Sequence, residues 1–303
     1  MVTEWRTWKI ALTATPGHPG LGPILWRGDI AGAFQKAAEV GCAGVELHLR
    51  RPEDVDPVVL TRLMAQYDLV VPTIGTGMAA TEEGLTFADI NPSVRARAVA
   101  RVCSHVRLAA QIGSAVTIGL INGKIGARPD DERRIRRRQA LECLKEVCHD
   151  ARQHGVLILL EPLNRYECDY INTLADGVAV AREIAADNVR LLADTFHLNI
   201  EEADVLASLR TASASIGYVH LADTNREAPG HGHLDLEGVL GALSDIEYEG
   251  ELAFEVLPLP DPETAIRDGI SAVRSAVICT PANRKTCQQL SRTDGRPVRS
   301  GHT

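Results

Sequence analysis

Four residues of metal-ligating type, Glu161, Asp194, His220 and Glu255, each close a short apolar run, and successive members lie about one strand–helix unit apart. Singly, each has an ordinary explanation. Glu161 before Pro162 suits a helix start, and a lone histidine in an apolar strand is usually a hydrogen-bonded core residue. Jointly they are costly, because three carboxylates buried side by side need a cation to offset them. Three oxygens and one imidazole, with no thiolate, suit Mn²⁺, Mg²⁺ or Co²⁺ better than a structural zinc. Further polar residues follow each one: Asn164, Arg165 and Glu167 after Glu161, His197 after Asp194, Asp223 and Arg226 after His220. A metal centre ringed this way fits a small polyhydroxylated carbonyl compound better than an apolar ligand. Glu161 and Glu255, arriving from different strands, would remove a proton beside a carbonyl and return one. The metal would accept charge from the carbonyl oxygen of the resulting enediolate.

The elements that must carry these residues alternate along the whole chain. Eight β-rich runs occur, at 8–14, 44–49, 69–75, 115–121, 156–162, 189–194, 216–221 and 251–257. Helix-period stretches such as 29–40, 93–111, 131–154 and 173–186 separate them, and Gly41, Gly113, Gly155 and Gly250 stand where helices should end. Continuously apolar runs such as Val156–Leu160 belong in a parallel sheet covered on both faces. Eight such units predict an α/β fold, a (β/α)8 TIM barrel, with reactive groups at the C-terminal ends of the strands. The barrel is expected to fill residues 1–280 as a single catalytic domain, with 281–303 a disordered polar C-terminal tail. The lone Gly75-Thr76-Gly77 lacks the rest of a dinucleotide fingerprint and reads as a loop.

Composition narrows the function classes. The 303 residues carry 32 Lys+Arg against 40 Asp+Glu, a formal net charge of −8, which argues against a protein that grips nucleic acid through phosphates. An odd count of seven cysteines without a Cys-x-x-Cys pair reads as reduced thiols, and no apolar run reaches the ~18 residues of a membrane span. The N-terminus lacks a signal-peptide pattern, so a cytoplasmic chain is expected. Cys143, Cys148, His149 and His154 share one charged helix with no second ligand cluster, a poor zinc site.

Three motifs, Glu161-Pro-Leu-Asn-Arg-Tyr-Glu167, Leu192-Ala-Asp-Thr-Phe-His-Leu-Asn-Ile-Glu-Glu202 and His220-Leu-Ala-Asp-Thr-Asn-Arg226, resemble the D-tagatose 3-epimerase family of xylose-isomerase-like barrels. The resemblance runs from Leu21 to about Pro260. Within it, the stretches 20–29, 74–77, 228–235 and 254–260 are most similar to the 5-keto-L-gluconate epimerases of bacterial inositol catabolism, which yield D-tagaturonate. The resemblance implies Glu161, Asp194, His220 and Glu255 as ligands of one divalent metal, Mn²⁺ first, with Glu161 and Glu255 the acid/base pair. It implies Glu167, His197 and Arg226 as contacts to the carbonyl end of a keto-sugar or keto-sugar acid. It also implies an isomerase that assembles as a homodimer or homotetramer. A carboxylate-bearing substrate would need a local cation, for which Lys124, Arg128, Arg165 and Arg27 are candidates. The His231-Gly-His233 loop reads as a loop residue plus a hydrogen-bonding histidine.

Rival activities share this barrel. An inosose dehydratase-type lyase or a ketose or hydroxypyruvate isomerase begins with the same proton abstraction, and a non-catalytic sugar-binding barrel would have little reason to keep both glutamates. A DNA-repair endonuclease needs further ligands from the early strands, and runs three and four end in Thr73-Ile-Gly75 and Ile118-Gly119-Leu120. The basic run Arg133–Arg138, preceded by Asp130, Asp131 and Glu132, reads as a solvated helix face.

Overall fold

The computed structural model describes residues 8–17 and 22–276. Eight parallel strands close on themselves: β1 (Lys9–Thr15), β2 (Gly44–His48), β3 (Thr73–Gly75), β4 (Ala115–Ile118), β5 (Ile158–Leu160), β6 (Val189–Asp194), β7 (Ile216–His220) and β8 (Glu251–Phe254). Closure is made by β1 against β8, with Lys9 opposite Glu251 and Leu12 opposite Phe254. A two-residue strand, Trp26–Arg27, pairs outside the end of β1 and brings Arg27 to the barrel mouth. This is a (β/α)8 TIM barrel. The tail expected over 281–303 lies outside the described residues.

Strand alternation decides what the barrel interior contains. Every second side chain points inward, and the inward positions Ala11, Ala115, Leu159, Leu192, Tyr218 and Ala253 form one small apolar cluster. The intervening residues, such as Val45, Leu47, Ile118, Leu160, Ala193 and Val219, join the larger core between strands and helices. One inward step beyond the small cluster stand Glu161, Asp194, His220 and Glu255, at or just past the last residue of their strands. The interior is thus apolar at depth and ionisable at the rim.

Helix ends hold the strands at their heights. Asp29 caps Ile30–Val40 by accepting from the Gly32 amide at 2.9 Å, and Gly41 closes that helix at φ +75°. Helix Pro92–Ile112 ends on Gly113 at φ +70°, and Gly155 (φ +67°) follows the end of Asp130–Gln153. Gly250 departs from the expected role: the left-handed residue before β8 is Glu247 (φ +55°). Gly250 instead makes room for Tyr248, whose hydroxyl a Cβ would meet at 2.5 Å. Several strands are also shorter than their apolar runs. In 69–75 the interruption is Pro72, which has no N–H for a ladder, leaving Val70 as an isolated bridge to Gly44. In 115–121 the chain turns after Ile118 into the 3₁₀ segment Leu120–Asn122. No helix among the described residues is long and apolar enough to cross a membrane.

Candidate active site

Ligand atoms of Glu161, Asp194, His220 and Glu255 all lie within 4.8 Å of one another, and all four side chains are largely or wholly withdrawn from water. His220 Nδ1 is 3.1 Å from Glu255, 3.5 Å from Asp194 and 3.7 Å from Glu161. Two buried atoms of the group, Glu161 Oε1 and His220 Nδ1, have no hydrogen-bond partner. Burial, with Glu255 and Asp194 alongside, pushes the Glu161 carboxyl well above the usual range. Asp194 and Glu255 go the other way. Burial acts upward on both, but Arg226 leads the opposing charges that hold each below its ordinary value. The protein's own cations therefore neutralise only part of the cluster. Unpartnered oxygen and nitrogen atoms converging in a buried, over-acidic group are what a hard or borderline divalent cation needs, so the residues fit such an ion.

The other three sequence candidates face the same space. A cavity of about 920 Å³ at the C-terminal mouth of the barrel is lined by Glu161, Glu167, His197, His220, Arg226 and Glu255, among others. Arg226 reaches the cluster from the loop after β7, bonding Asp194 and Glu255 through its two terminal nitrogens and lying 4.8 Å over the Phe196 ring. Its backbone is left-handed at φ +65°, uncommon for a residue with a side chain. Local bonds hold it there: the Arg226 amide donates to Asp223 O at 2.9 Å and its carbonyl accepts from Leu257 N at 2.7 Å. The Asp223 carboxylate in turn gathers the Thr224, Gly230 and Leu234 amides.

Asn164 joins Glu167 to His197, donating from Nδ2 to Glu167 at 2.9 Å and to His197 Nδ1 at 2.8 Å. His197 Nε2 points toward Glu161 and Asp194, at 3.9 and 3.8 Å. Burial lowers its affinity for a second proton. Glycine makes the site possible at Gly119, where a Cβ would stand 2.4 Å from Glu161 Oε2.

The remaining candidates separate. Of the four proposed cations only Arg27 lines the cavity; Lys124 is bonded to Tyr166 O, Arg128 to Ile125 O and Glu132, and Arg165 to Glu201. His231 contacts Asp268 at 3.2 Å, as a hydrogen-bonding loop histidine. Cys143 and Cys148 are buried, and no metal-type grouping among the described residues includes them. Within the basic run, Arg136 is itself buried and ties its helix to Ala88 O, while Arg133 bonds Gly126 O and Asp169.

Sequence reading passed over Glu46, His48 and Arg50. Glu46 is fully buried in β2, between His48 and His220, and His48 and Arg50 line the cavity. A signal existed: in Gly44-Val-Glu-Leu-His48 a period of two puts Glu46 and His48 on one face and Val45 and Leu47 on the other.

A family model described as xylose isomerase-like TIM barrel matches residues 34–276. An L-ribulose 3-epimerase of Mesorhizobium japonicum is 30% identical over 241 residues, covering 78% of this chain and 80% of that protein. A 3-dehydro-D-guloside 4-epimerase of Escherichia coli is 34% identical over 140 residues, 46% of this chain and 53% of that one. The solved structure of an L-ribulose 3-epimerase superposes with a TM-score of 0.75 at 23% identity, covering 98% of this chain and 100% of the other, a likeness of fold. The relatives are epimerases by name, and this chain is an enzyme of the epimerase class. By a match that spans most of the barrel, together with a relative aligned over four-fifths of its length, the chain belongs to the xylose isomerase-like TIM barrel family, among its sugar epimerases.

Proposed function

We propose that this enzyme inverts one carbinol carbon beside the ketone of a keto-sugar, with Glu161 and Glu255 as the two proton-exchanging groups. The observation that carries the reading is their placement. Both carboxylates line one cavity, come from strands β5 and β8, and have ligand atoms within 4.8 Å in a group that also holds Asp194 and His220. One carboxylate takes the C–H proton, the bonding pair becomes the C=C bond of an enediolate, and the other carboxylate delivers a proton to the opposite face. The carbon leaves inverted, and atoms and charge balance without a leaving group. Glu161, Asp194, His220 and Glu255 would hold the divalent ion, Mn²⁺ before Mg²⁺ or Co²⁺. When bound, it supplies positive charge to offset the charge that develops on the substrate oxygen. His197 directs its Nε2–H into the cavity to donate to a substrate oxygen. Glu167 accepts from a hydroxyl, and Arg226 orients Asp194 and Glu255 while adding fixed positive charge.

The cations of the cavity lining suggest the substrate. Arg27 and Arg50 line it, Arg50 beside Asp54, Glu82 and Glu83, and a keto-hexonate such as 5-keto-L-gluconate, yielding D-tagaturonate, would set its carboxylate against them. A second reading follows from size. At about 920 Å³ the cavity is near the top of the range for small-molecule sites, so a keto-sugar still carrying an aglycone or second ring would fit. The relative from Escherichia coli, a guloside 4-epimerase by name, points the same way.

Proton NMR in D₂O on Mn²⁺-activated protein tests both readings, with separate samples of 5-keto-L-gluconate, D-fructose, D-tagatose, a 3-keto-glucoside and an inosose. Deuterium beside the carbonyl together with the epimer supports the reaction, and the responding sample names the substrate. Loss of water from the inosose would replace epimerase by lyase. Glu161→Gln and Glu255→Gln should each lower kcat by about 10²- to 10⁴-fold. Retention of more than a few per cent by both would sink the two-base scheme.

A further inference from the structure

Among the described residues, Glu46 is the buried carboxylate in contact with the metal-type cluster for which the proposed chemistry has no use. It sits in the middle of β2, is 0% exposed and does not line the cavity, so it cannot touch substrate. A fourth carboxylate in so acidic a place is expensive unless something requires it. Its contacts show what does. Both oxygens lie against His220 Nε2, at 3.0 and 3.1 Å, and Oε1 is also 2.9 Å from His48 Nε2. On the other side of the same ring, His220 Nδ1 faces Glu161, Asp194 and Glu255 with no hydrogen-bond partner.

We propose that Glu46 is the positioning residue that makes His220 a metal ligand through Nδ1. An ionised carboxylate can only accept, so the ring nitrogen facing it must carry the proton. A neutral imidazole has one N–H, which leaves the Nδ1 lone pair directed at the three other carboxylates. The arrangement also fixes the ring plane and raises the basicity of the ligating nitrogen, as carboxylates behind metal-bound histidines do. Through Oε1 the same carboxylate braces His48, whose Nε2 is 3.7 Å from Glu255 Oε1 at the cavity wall. One strand that contributes no ligand thereby sets the direction of a ligand 174 residues away in the chain.

The inference rests on reading the cluster as a metal site, and its test separates the two. Mn²⁺ is titrated into the full chain and into Glu46→Gln and Glu46→Leu, with free ion counted by EPR. Gln keeps a hydrogen-bond acceptor without the charge and Leu removes both, so graded losses of about 10-fold and about 100-fold in affinity are expected. In Mg²⁺-saturated, ¹⁵N-histidine-labelled wild-type protein, two-bond ¹H–¹⁵N spectra should show His220 protonated at Nε2 and bare at Nδ1. The His220→Asn variant assigns the signal. Wild-type protein that binds no Mn²⁺ up to millimolar concentration overturns the metal reading itself. Normal wild-type binding with both folded variants within twofold overturns only the role of Glu46, as does a proton on Nδ1 of His220. Should either variant fail to fold, the tautomer of the wild-type ring decides.

Discussion

Because the Tyr166 amide can only donate, the Asn164 oxygen must face it, at 2.9 Å, and the Asn164 amide nitrogen is thereby turned toward Glu167 and His197. His197 Nδ1 then has to accept, and its Nε2 carries the proton toward the cavity. In the metal-loaded site the two histidines would thus present opposite faces: His197 an N–H and His220 a lone pair, each set by the group behind it. Asn164→Asp keeps the shape but replaces the donor by a second carboxylate beside Glu167. A fall in kcat/KM of about 10- to 100-fold is expected, the size of losing a hydrogen bond to a charged group; steady-state kinetics would check it, and an unchanged kcat/KM would contradict the assignment. Arg226→Ala should raise KM and lower kcat together, since it removes both the proposed substrate contact and the bridge between Asp194 and Glu255.

At the scale of elements, the strand ends and the turns after them do the aiming. Gly119 follows β4 and leaves just enough room for Glu161 Oε2. A methyl group at that position must displace the far end of a flexible side chain, not backbone. Gly119→Ala should therefore cost little stability yet remove most activity and weaken Mn²⁺ binding, a split readable from thermal melts set beside kinetics. The opposite pattern is expected at the helix cap Asp29. Asp29→Ala exposes the amide it holds at the start of Ile30–Val40 and should cost about 1 kcal/mol in urea unfolding, with Mn²⁺ affinity unaltered. Loss of metal binding there would mean that the helix caps are coupled to the cluster.

For the whole molecule, the buried charges couple stability to pH and metal. Burial and neighbouring carboxylates raise Glu161. His220 is raised as well, because Glu46 and Glu255 outweigh the downward effect of burial. Both groups bind protons more tightly folded than unfolded, so their contribution is full at low pH and lost as pH rises through their folded values. Glu46 behaves oppositely. His220 and His48 outweigh burial and lower it from 4.5 to about 2, so its contribution holds above about 4.5 and fades as pH falls toward about 2. Protein treated with EDTA should accordingly lose Tm as pH rises above the ordinary values of these two groups, 4.5 for Glu161 and 6.5 for His220. A divalent ion competes with protons for the same atoms, so the rise in Tm on adding Mn²⁺ should be larger at about pH 8 than at about pH 5.5. Differential scanning fluorimetry reads this directly, and an equal rise at both values would break the link between the cluster and the ion.

Strand number, helix alternation and four rim residues were legible because they follow from local rules: apolar runs of strand length, helix periodicity between them, and a ligand-type residue ending each of four successive runs. Each of those signals lies within a few residues of itself. The places where such reading fell short are those where distant segments meet. Gly250 reads as a helix cap and turns out to accommodate Tyr248, five strands of the barrel end sooner than their apolar runs, and three of four candidate cations are taken up by nearby acceptors. Glu46 is the clearest instance. On its own it is a charged residue in an apolar strand, and nothing local says whether it faces water or the barrel axis. Barrel closure decides that question by setting β2 across the interior from β7, so that a carboxylate and an imidazole far apart in sequence must satisfy each other where water cannot reach them. Sequence alone determines which side chains sit at the strand ends; their protonation, orientation and partners depend on the shared, low-dielectric interior that only the closed barrel creates.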